Sequence, residues 1–446
     1  MNDRELAYKI LCRIFNDEVL CQDALSAAFE EADKKEGAQG INKGWVNHLV
    51  VGVVERYLTL TYLIEKQSGR KFNKINKNVR IILLMGVYQG LYMNVPSSAA
   101  CNESVKLATK HKLAGLKGFV NGVLRGLFRA YEASGKTTAE EFILSLTKEE
   151  KDADRKLEIL YSTPKWMIKE FRKAAGTKDI TAILESQFTE KDMTACLIKS
   201  RATKEEFEAA LTRDGVEFRE CENLKAYAED FTYYTLNAGG KLNRLSSFKK
   251  GMFIVQDPAS MLASELVPVK EEMKVIDVCA APGGKAVHLA DRIYACAGHV
   301  TACDVSEEKV GKIQDTIKRT GLKNITTAVA DATVKVKEFN DFFDVVVADL
   351  PCSGLGVIKK KPDIKYKTKE TDPAELAVLQ KKILDNVTGY VKKKGFIAFS
   401  TCTLTECENE ANVSYLQEKG FEEIKRVKLL PTAEHDGFFI CLLQKA

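Results

Sequence analysis

Two cysteines are placed where a thiol can do chemistry. Cys352 lies in Asp349-Leu350-Pro351-Cys352-Ser353-Gly354 and Cys402 in Ser400-Thr401-Cys402-Thr403, each after a short apolar run that reads as a strand. A thiolate at a strand end can add to an electrophilic carbon and hold it covalently while a second reaction takes place. Asp349, three residues before Cys352, brings a carboxyl group to the same edge. Most free cysteines simply pack as small hydrophobes, and Cys12, Cys196, Cys296 and Cys441 are read that way. With no signal peptide indicated, the twelve cysteines are expected to be mostly reduced thiols, and the absence of a CxxC pair speaks against a zinc site.

A third motif supplies a ligand loop. The apolar run 275–279 leads through Ala280, Ala281, Pro282, Gly283, Gly284 and Lys285 into a helical segment, so the two glycines stand where a nucleotide-like ligand nears the backbone. Twenty residues after Gly284 the next strand ends in Asp304, where a carboxylate can accept hydrogen bonds from ribose hydroxyls; the third strand ends in Asp331 and the fourth in Asp349. Taken alone, Asp304 or Asp331 could merely cap a following helix. Together with Cys279 and the loop residues they read as a cofactor site. The GxGxxG spacing of dinucleotide sites is absent, which favours S-adenosylmethionine. Carbon 5 of a cytosine is a poor nucleophile until something adds to carbon 6, so methylating it requires a thiolate, a methyl donor and an acid at the base; Cys402, the cofactor and Asp349 could supply them.

These residues need a scaffold. A chain of 446 residues is too long for one core, and 45% apolar and 29% charged residues with 9 prolines predict a folded, multidomain protein. The spacing of Leu6, Ile10, Leu11 and Ile14, and of Val79, Ile82, Leu83, Tyr88 and Leu91, predicts an all-α domain over residues 1–135. Ser134 to Thr138 and the charge run from Lys148 to Arg155 read as a connection between domains. Residues 150–249 mix elements, with strands at 194–198 and 215–218 around a helix at 204–211, and predict a small α+β domain. Residues 250–446 alternate strands with helices. Strands at 275–279, 300–304, 325–331, 344–349, 396–400 and 438–443 predict a doubly wound α/β domain.

The run from Asp277 to Lys285, the run from Asp349 to Gly356 and Ser400-Thr401-Cys402 together resemble the bacterial RsmB (Sun, Fmu) family of ribosomal RNA cytosine-C5 methyltransferases. Gln256-Asp257, Lys361-Pro362-Asp363-Ile364, Glu408-Asn409-Glu410 and Asp436-Gly437-Phe438-Phe439 extend the likeness across the C-terminal domain. The resemblance implies that Cys402 attacks carbon 6 and that Cys352 assists release of the adduct. It implies that Asp349 and Lys285 hold the base, that Asp304 holds the cofactor ribose, Asp331 its adenine and the 280–284 backbone its amino-acid part. Having both Pro351-Cys352 and Thr401-Cys402 speaks for RNA, because the similar DNA enzymes take their nucleophile from the Pro-Cys motif. Val95-Pro96, the run from Asn102 to Val105 and the run from Phe119 to Arg125 are similar to the antitermination factor NusB, which implies a NusB-like fold for the first domain; Thr163-Pro164-Lys165-Trp166 looks like the family's entry to its middle segment. Leu350 and Thr403 depart from the Ala and Ser usual there and remove no reacting group. The C-terminal domain is then a Rossmann-like, S-adenosylmethionine-dependent methyltransferase domain.

Lys plus Arg number 67 against 62 acids, an excess too small to decide a partner. Locally, Lys359, Lys360, Lys361, Lys365, Lys367 and Lys369 face one acid, Asp363, and with Tyr366 predict phosphate contact and a stacking surface beside the active site. No signal peptide or membrane span is indicated, so a cytoplasmic monomer is expected, with small-subunit (16S) ribosomal RNA as partner and neither membrane nor DNA. Two other readings compete: a NusB-like RNA-binding or ribosome-assembly factor with a non-catalytic methyltransferase domain, against which Asp349, Cys352 and Cys402 argue, and a methyltransferase of proteins or small molecules, for which the paired cysteines have no use.

Overall fold

The computed structural model describes residues 2–34, 40–176, 179–189 and 192–446. The chain divides into two compact units, Met1–Lys169 with Ile358–Thr368, and Glu170–Val357 with Lys369–Ala446.

The first unit is helical among the described residues. Its most buried helix, Lys77–Tyr92, presents Val79, Ile82, Leu83 and Val87 to the core, and Asn76 caps its start by accepting the Asn78 and Val79 N–H groups. The helix continues through Gly86 and Gly90; a Cβ on Gly90 would meet the Phe128 ring at 2.3 Å, so the missing side chain lets helix Lys117–Ala133 lie close. Ser134 to Arg155 is not a free connection. It contains helix Ala139–Leu146, whose Phe142 and Ile143 join the helical core, and the start of helix Ala153–Tyr161.

The second unit holds two sheets. Strands β1 (Met193–Leu197), β2 (Glu217–Cys221), β3 (Tyr233–Asn237) and β4 (Phe253–Val255) form an antiparallel sheet in the order β2-β3-β1-β4. Strands β5 (Lys274–Asp277), β6 (His299–Asp304), β7 (Ile325–Val329), β8 (Phe343–Asp349), β9 (Val391–Thr401), β10 (Phe421–Leu429) and β11 (Phe438–Lys445) form the large sheet, ordered β10-β11-β9-β8-β5-β6-β7. β5 to β9 are parallel, and β11 runs antiparallel to β9 and β10. Alternation along the strands separates two cores: Val275, Val345 and Val347 pack with Ala286, Leu289 and Ile313, while Ile276, Val346 and Ala348 pack with Ile383, Leu384, Val413 and Leu416. Helices therefore cover both faces of a doubly wound sheet. The chain runs outward from β5 through β6 and β7 and returns at β8, so the strand order reverses between β5 and β8, where such sheets bind ligands at their carboxyl ends.

Candidate active site

β5 ends two residues earlier than its apolar run suggests, in Asp277, and the chain turns through a loop into helix Gly284–Arg292. Gly283 holds φ at 106°, a conformation that favours glycine, and a Cβ there would stand 3.3 Å from Ile313 Cα and Cγ2. No side chain caps the helix that follows, so its first N–H groups are available to an anionic ligand group. Asp304, buried at the end of β6, accepts from Ala281 N–H (2.9 Å) and Val305 N–H (2.8 Å), with Lys309 Nζ at 3.1 Å. It thus fixes the loop that Cys279, Ala280, Ala281 and Pro282 form. Asp331 closes its own turn after β7, taking Thr333 N–H at 2.8 Å and Thr333 Oγ1 at 2.7 Å, bonds that hold its carboxyl below the ordinary range.

Asp277 was not among the residues singled out from sequence. It is 1% exposed; Oδ1 accepts Cys279 N–H at 3.3 Å, and buried Oδ2 has no protein partner. Burial, then the neighbouring Asp349, raises its carboxyl to about 7 against the pull of Lys285. An orphaned buried carboxylate oxygen beside an uncapped helix start and a glycine turn fits a cofactor carrying both a cationic and an anionic group. Its place at the end of the first strand before the glycines was the signal that could have found it.

Across the switch point, Asp349 ends β8. Its Oδ2 accepts from Lys285 Nζ at 2.7 Å and its Oδ1 from Ser400 Oγ at 2.8 Å, Ser400 being its register partner on β9. Burial alone would lower the Lys285 ammonium, but Asp349 reverses this and raises it; Lys285 Nζ also lies 5.1 Å from the Phe438 ring centre. Asp349 and Lys285 are therefore a partly buried ion pair that can face a polar heterocycle with one acceptor and one donor.

The two thiols meet. Cys352 Sγ and Cys402 Sγ lie 3.1 Å apart, both partly buried. Their hydrogen bond first, and burial second, push the Cys352 thiol well above its ordinary value, so Cys352 keeps its proton beside Cys402. The backbone locks this arrangement: Gly356 N–H donates to Cys402 O and Gly437 N–H to Gly356 O, both at 2.9 Å. A Cβ on Gly356 would come within 2.1 Å of Gly437 O and 2.8 Å of Cys402 O.

Beneath the thiols lies a buried polar network of which the sequence motifs contained Ser353, Thr403, Glu408 and Asn409, all without an assigned role. Glu408 accepts from Ser353 N–H (2.8 Å), the Ser353 hydroxyl, Thr405 Oγ1 (2.6 Å) and Gln380 Nε2 (3.3 Å). Thr403 and Ser353 hydroxyls pair at 2.7 Å, Asn409 Nδ2 donates to Thr403 O at 3.1 Å, and Asn412 Nδ2 donates to Gln380 Oε1 at 2.7 Å. The network joins the residue after Cys352 to the residue after Cys402. A run of polar residues on a helix start that must nevertheless pack inward was the available sign.

Two residues of the lysine run, Lys365 and Tyr366, do not fit the expectation of phosphate contact and a stacking surface. Lys365 is 2% exposed and donates to Glu55 O at 2.7 Å, and burial lowers its ammonium to about 7. Tyr366 is half-buried with its ring edge-on to Tyr57 at 5.0 Å and its hydroxyl 3.0 Å from Ser162 Oγ. Neither is presented for phosphate contact or base stacking; Lys360, Lys361 and Lys369 are exposed.

With this geometry in place, comparison with known proteins is informative. Residues 263–444 match the family described as 16S rRNA methyltransferase RsmB/F, and residues 1–129 match the NusB family. A protein of Bacillus subtilis named probable ribosomal RNA small subunit methyltransferase B is 30% identical over 99% of this chain and 98% of its own. A Synechocystis protein of the same name is 31% identical over 99% of both. The crystal structure of PH0851 aligns with 100% of this chain and 99% of its own at a TM-score of 0.77 and 22% identity, a likeness of fold.

Proposed function

Because the chain belongs to the RsmB/F family of S-adenosylmethionine-dependent methyltransferases, we propose that it methylates carbon 5 of a cytosine in small-subunit ribosomal RNA through a covalent Cys402 adduct. The observation that carries this reading is the Cys352–Cys402 pair at 3.1 Å beside the Asp349–Lys285 ion pair. Bound S-adenosylmethionine supplies an electrophilic methyl group. The residues that would hold it are the 279–284 loop, Asp304, Asp331 and Asp277, the last contributing a carboxylate for a positively charged ligand.

Cys402 adds as thiolate to carbon 6, forming a carbon–sulphur bond and moving the ring electrons to carbon 5, which takes the methyl group as the methyl–sulphonium bond breaks and the donor leaves as a neutral thioether. Asp349 and Lys285 hold the polarised base. In release, the carbon 5 proton passes to water, its bonding pair restores the 5,6 double bond, and Cys402 departs as thiolate. The protonated Cys352 stabilises the departing sulphur by donating a hydrogen bond. A cytosine within a helix must be flipped out or presented in a loop to reach the thiol.

The test is methyl transfer from labelled S-adenosylmethionine to unmodified small-subunit ribosomal RNA by wild type, Cys402→Ala and Cys352→Ala, with adducts resolved on a denaturing gel. Cys402→Ala is expected to be inactive and adduct-free, and Cys352→Ala to accumulate adduct. RNA binding by wild type with no transfer would instead favour a non-catalytic assembly factor.

A further inference from the structure

The segment Ile358–Thr368 begins six residues after Cys352, yet it is part of the helical unit. There it supplies ends for two helices. Asp363 Oδ2 accepts the Cys21 N–H at 3.0 Å, at the first residue of helix Cys21–Lys34, whose opening N–H groups lack intrahelical partners and favour an anion. Lys365 donates to the carbonyl of Glu55, the last residue of helix Lys43–Glu55, the end that favours a cation. The Tyr366 hydroxyl reaches Ser162 Oγ, and Lys367 Nζ donates to Glu18 O at 2.7 Å. Just upstream, Gly356 is pinned to Cys402 and Gly437 within the catalytic unit. One residue, Val357, separates a stretch fixed in one unit from a stretch fixed in the other.

Helix ends are ordinarily capped by local Ser, Asn or Gly at little cost. Burying an ammonium and a carboxylate to do this from some 300 residues away carries a desolvation cost that local caps avoid. We propose that Asp363, Lys365 and Tyr366 are positioning residues for Cys352: the folded helical unit fixes the segment, and the segment fixes the loop that carries the release thiol. The inference rests on the assignment of adduct release to Cys352.

The experiment compares wild type, Cys352→Ala, Lys365→Met, the more conservative Tyr366→Phe, and Asn76→Ala, which removes the cap of helix Lys77–Tyr92 in the same unit without touching the segment. Each full-length protein is incubated with S-adenosylmethionine and unmodified small-subunit ribosomal RNA; turnover, thermal melting and the denaturation-resistant adduct are measured. Lys365→Met and Tyr366→Phe are expected to turn over several-fold more slowly and to trap several-fold more adduct than wild type, as Cys352→Ala does, while Asn76→Ala melts lower with adduct at the wild-type level. If Cys352→Ala traps adduct and neither segment variant does, or if Asn76→Ala traps as much as they do, the inference fails alone. If Cys352→Ala itself traps nothing, the assignment of release fails and the inference with it. Should Lys365→Met not fold, Tyr366→Phe decides.

Discussion

Cys352 Sγ lies 3.1 Å from Cys402 Sγ, far beyond the roughly 2.05 Å of a disulfide yet close enough for one thiol to hydrogen-bond to the other sulphur. A nucleophile normally benefits from a nearby base; here it has a neighbour that holds on to its own proton. That suits a group whose task comes at the end of the reaction, when a thiolate must leave.

The same proximity makes the pair vulnerable to oxidation. A diazene reagent such as diamide takes two electrons and two protons from the thiols, becoming a hydrazine as the disulfide forms. Methyl transfer is expected to be lost and then restored by dithiothreitol, with peptide mass spectrometry finding the Cys352–Cys402 link ahead of any involving buried Cys303 or Cys441. Loss of activity without that link would sink the prediction.

Asp277 makes stability and cofactor binding depend on pH. Its folded value is raised to about 7 from 3.8, so the folded state holds a proton that the unfolded chain has released between about pH 4 and pH 7, and stability falls across that window as pH rises. The penalty reaches roughly 4 kcal/mol above pH 7, at about 1.4 kcal/mol per unit. Asp277→Asn should therefore raise the urea midpoint at pH 8 and change it little at pH 4.5. A cationic cofactor favours the carboxylate, so calorimetry near pH 6.5 should detect proton release on S-adenosylmethionine binding to wild type and none with Asp277→Asn. Equal release from both proteins would show that another group titrates.

Exposed and buried lysines of one run should separate by salt dependence. Each phosphate contact contributes close to one unit to the slope of log affinity against log salt, somewhat less on single strands. Removing the exposed Lys361 and Lys369 together is expected to lower the slope by up to about two, whereas Lys365→Gln should leave it unchanged because its ammonium is committed to Glu55 O. A slope that falls with Lys365→Gln would place that side chain on RNA.

Much of the catalytic unit was legible because β5, β6 and β8 are short apolar runs ending in Asp and β5 is followed by a glycine loop, both local signals. The edge strand β10 was missed since Phe421–Leu429 carries five charged residues, three of them exposed, a common guard on sheet edges that erases the apolar signature. β4 has three residues, too short to show a period, and β3, though as long as β1 and β2, buries Tyr233, Tyr234 and Leu236 and so does not alternate. Asp277 and the Glu408 network were hidden for another reason: polarity reads as exposure, the Asp277 Oδ2 oxygen has no protein partner, and Ser353 and Gln380 lie 55 and 28 residues from Glu408. The lysine run misled in the same way, since a helix end 310 residues distant is invisible to a local reading of Lys365.

Glu408 offers the sharpest test of how the thiols are held. It is fully buried, and burial raises its carboxyl while four hydrogen bonds from Ser353, Thr405 and Gln380 work against that. Glu408→Ala leaves those donors without a partner, each worth about 1–3 kcal/mol when stranded, so an overall loss of about 3 kcal/mol is expected in urea unfolding. Glu408→Gln keeps the volume and one acceptor and should lose less. Because Ser353 adjoins Cys352 and pairs with Thr403 beside Cys402, the effect should extend to chemistry: at temperatures where Glu408→Gln is folded, kcat should drop at least tenfold while KM for S-adenosylmethionine holds, since the cofactor loop has no bond to this network. A variant that loses stability but retains wild-type kcat would show that the thiols are held without the Glu408 network.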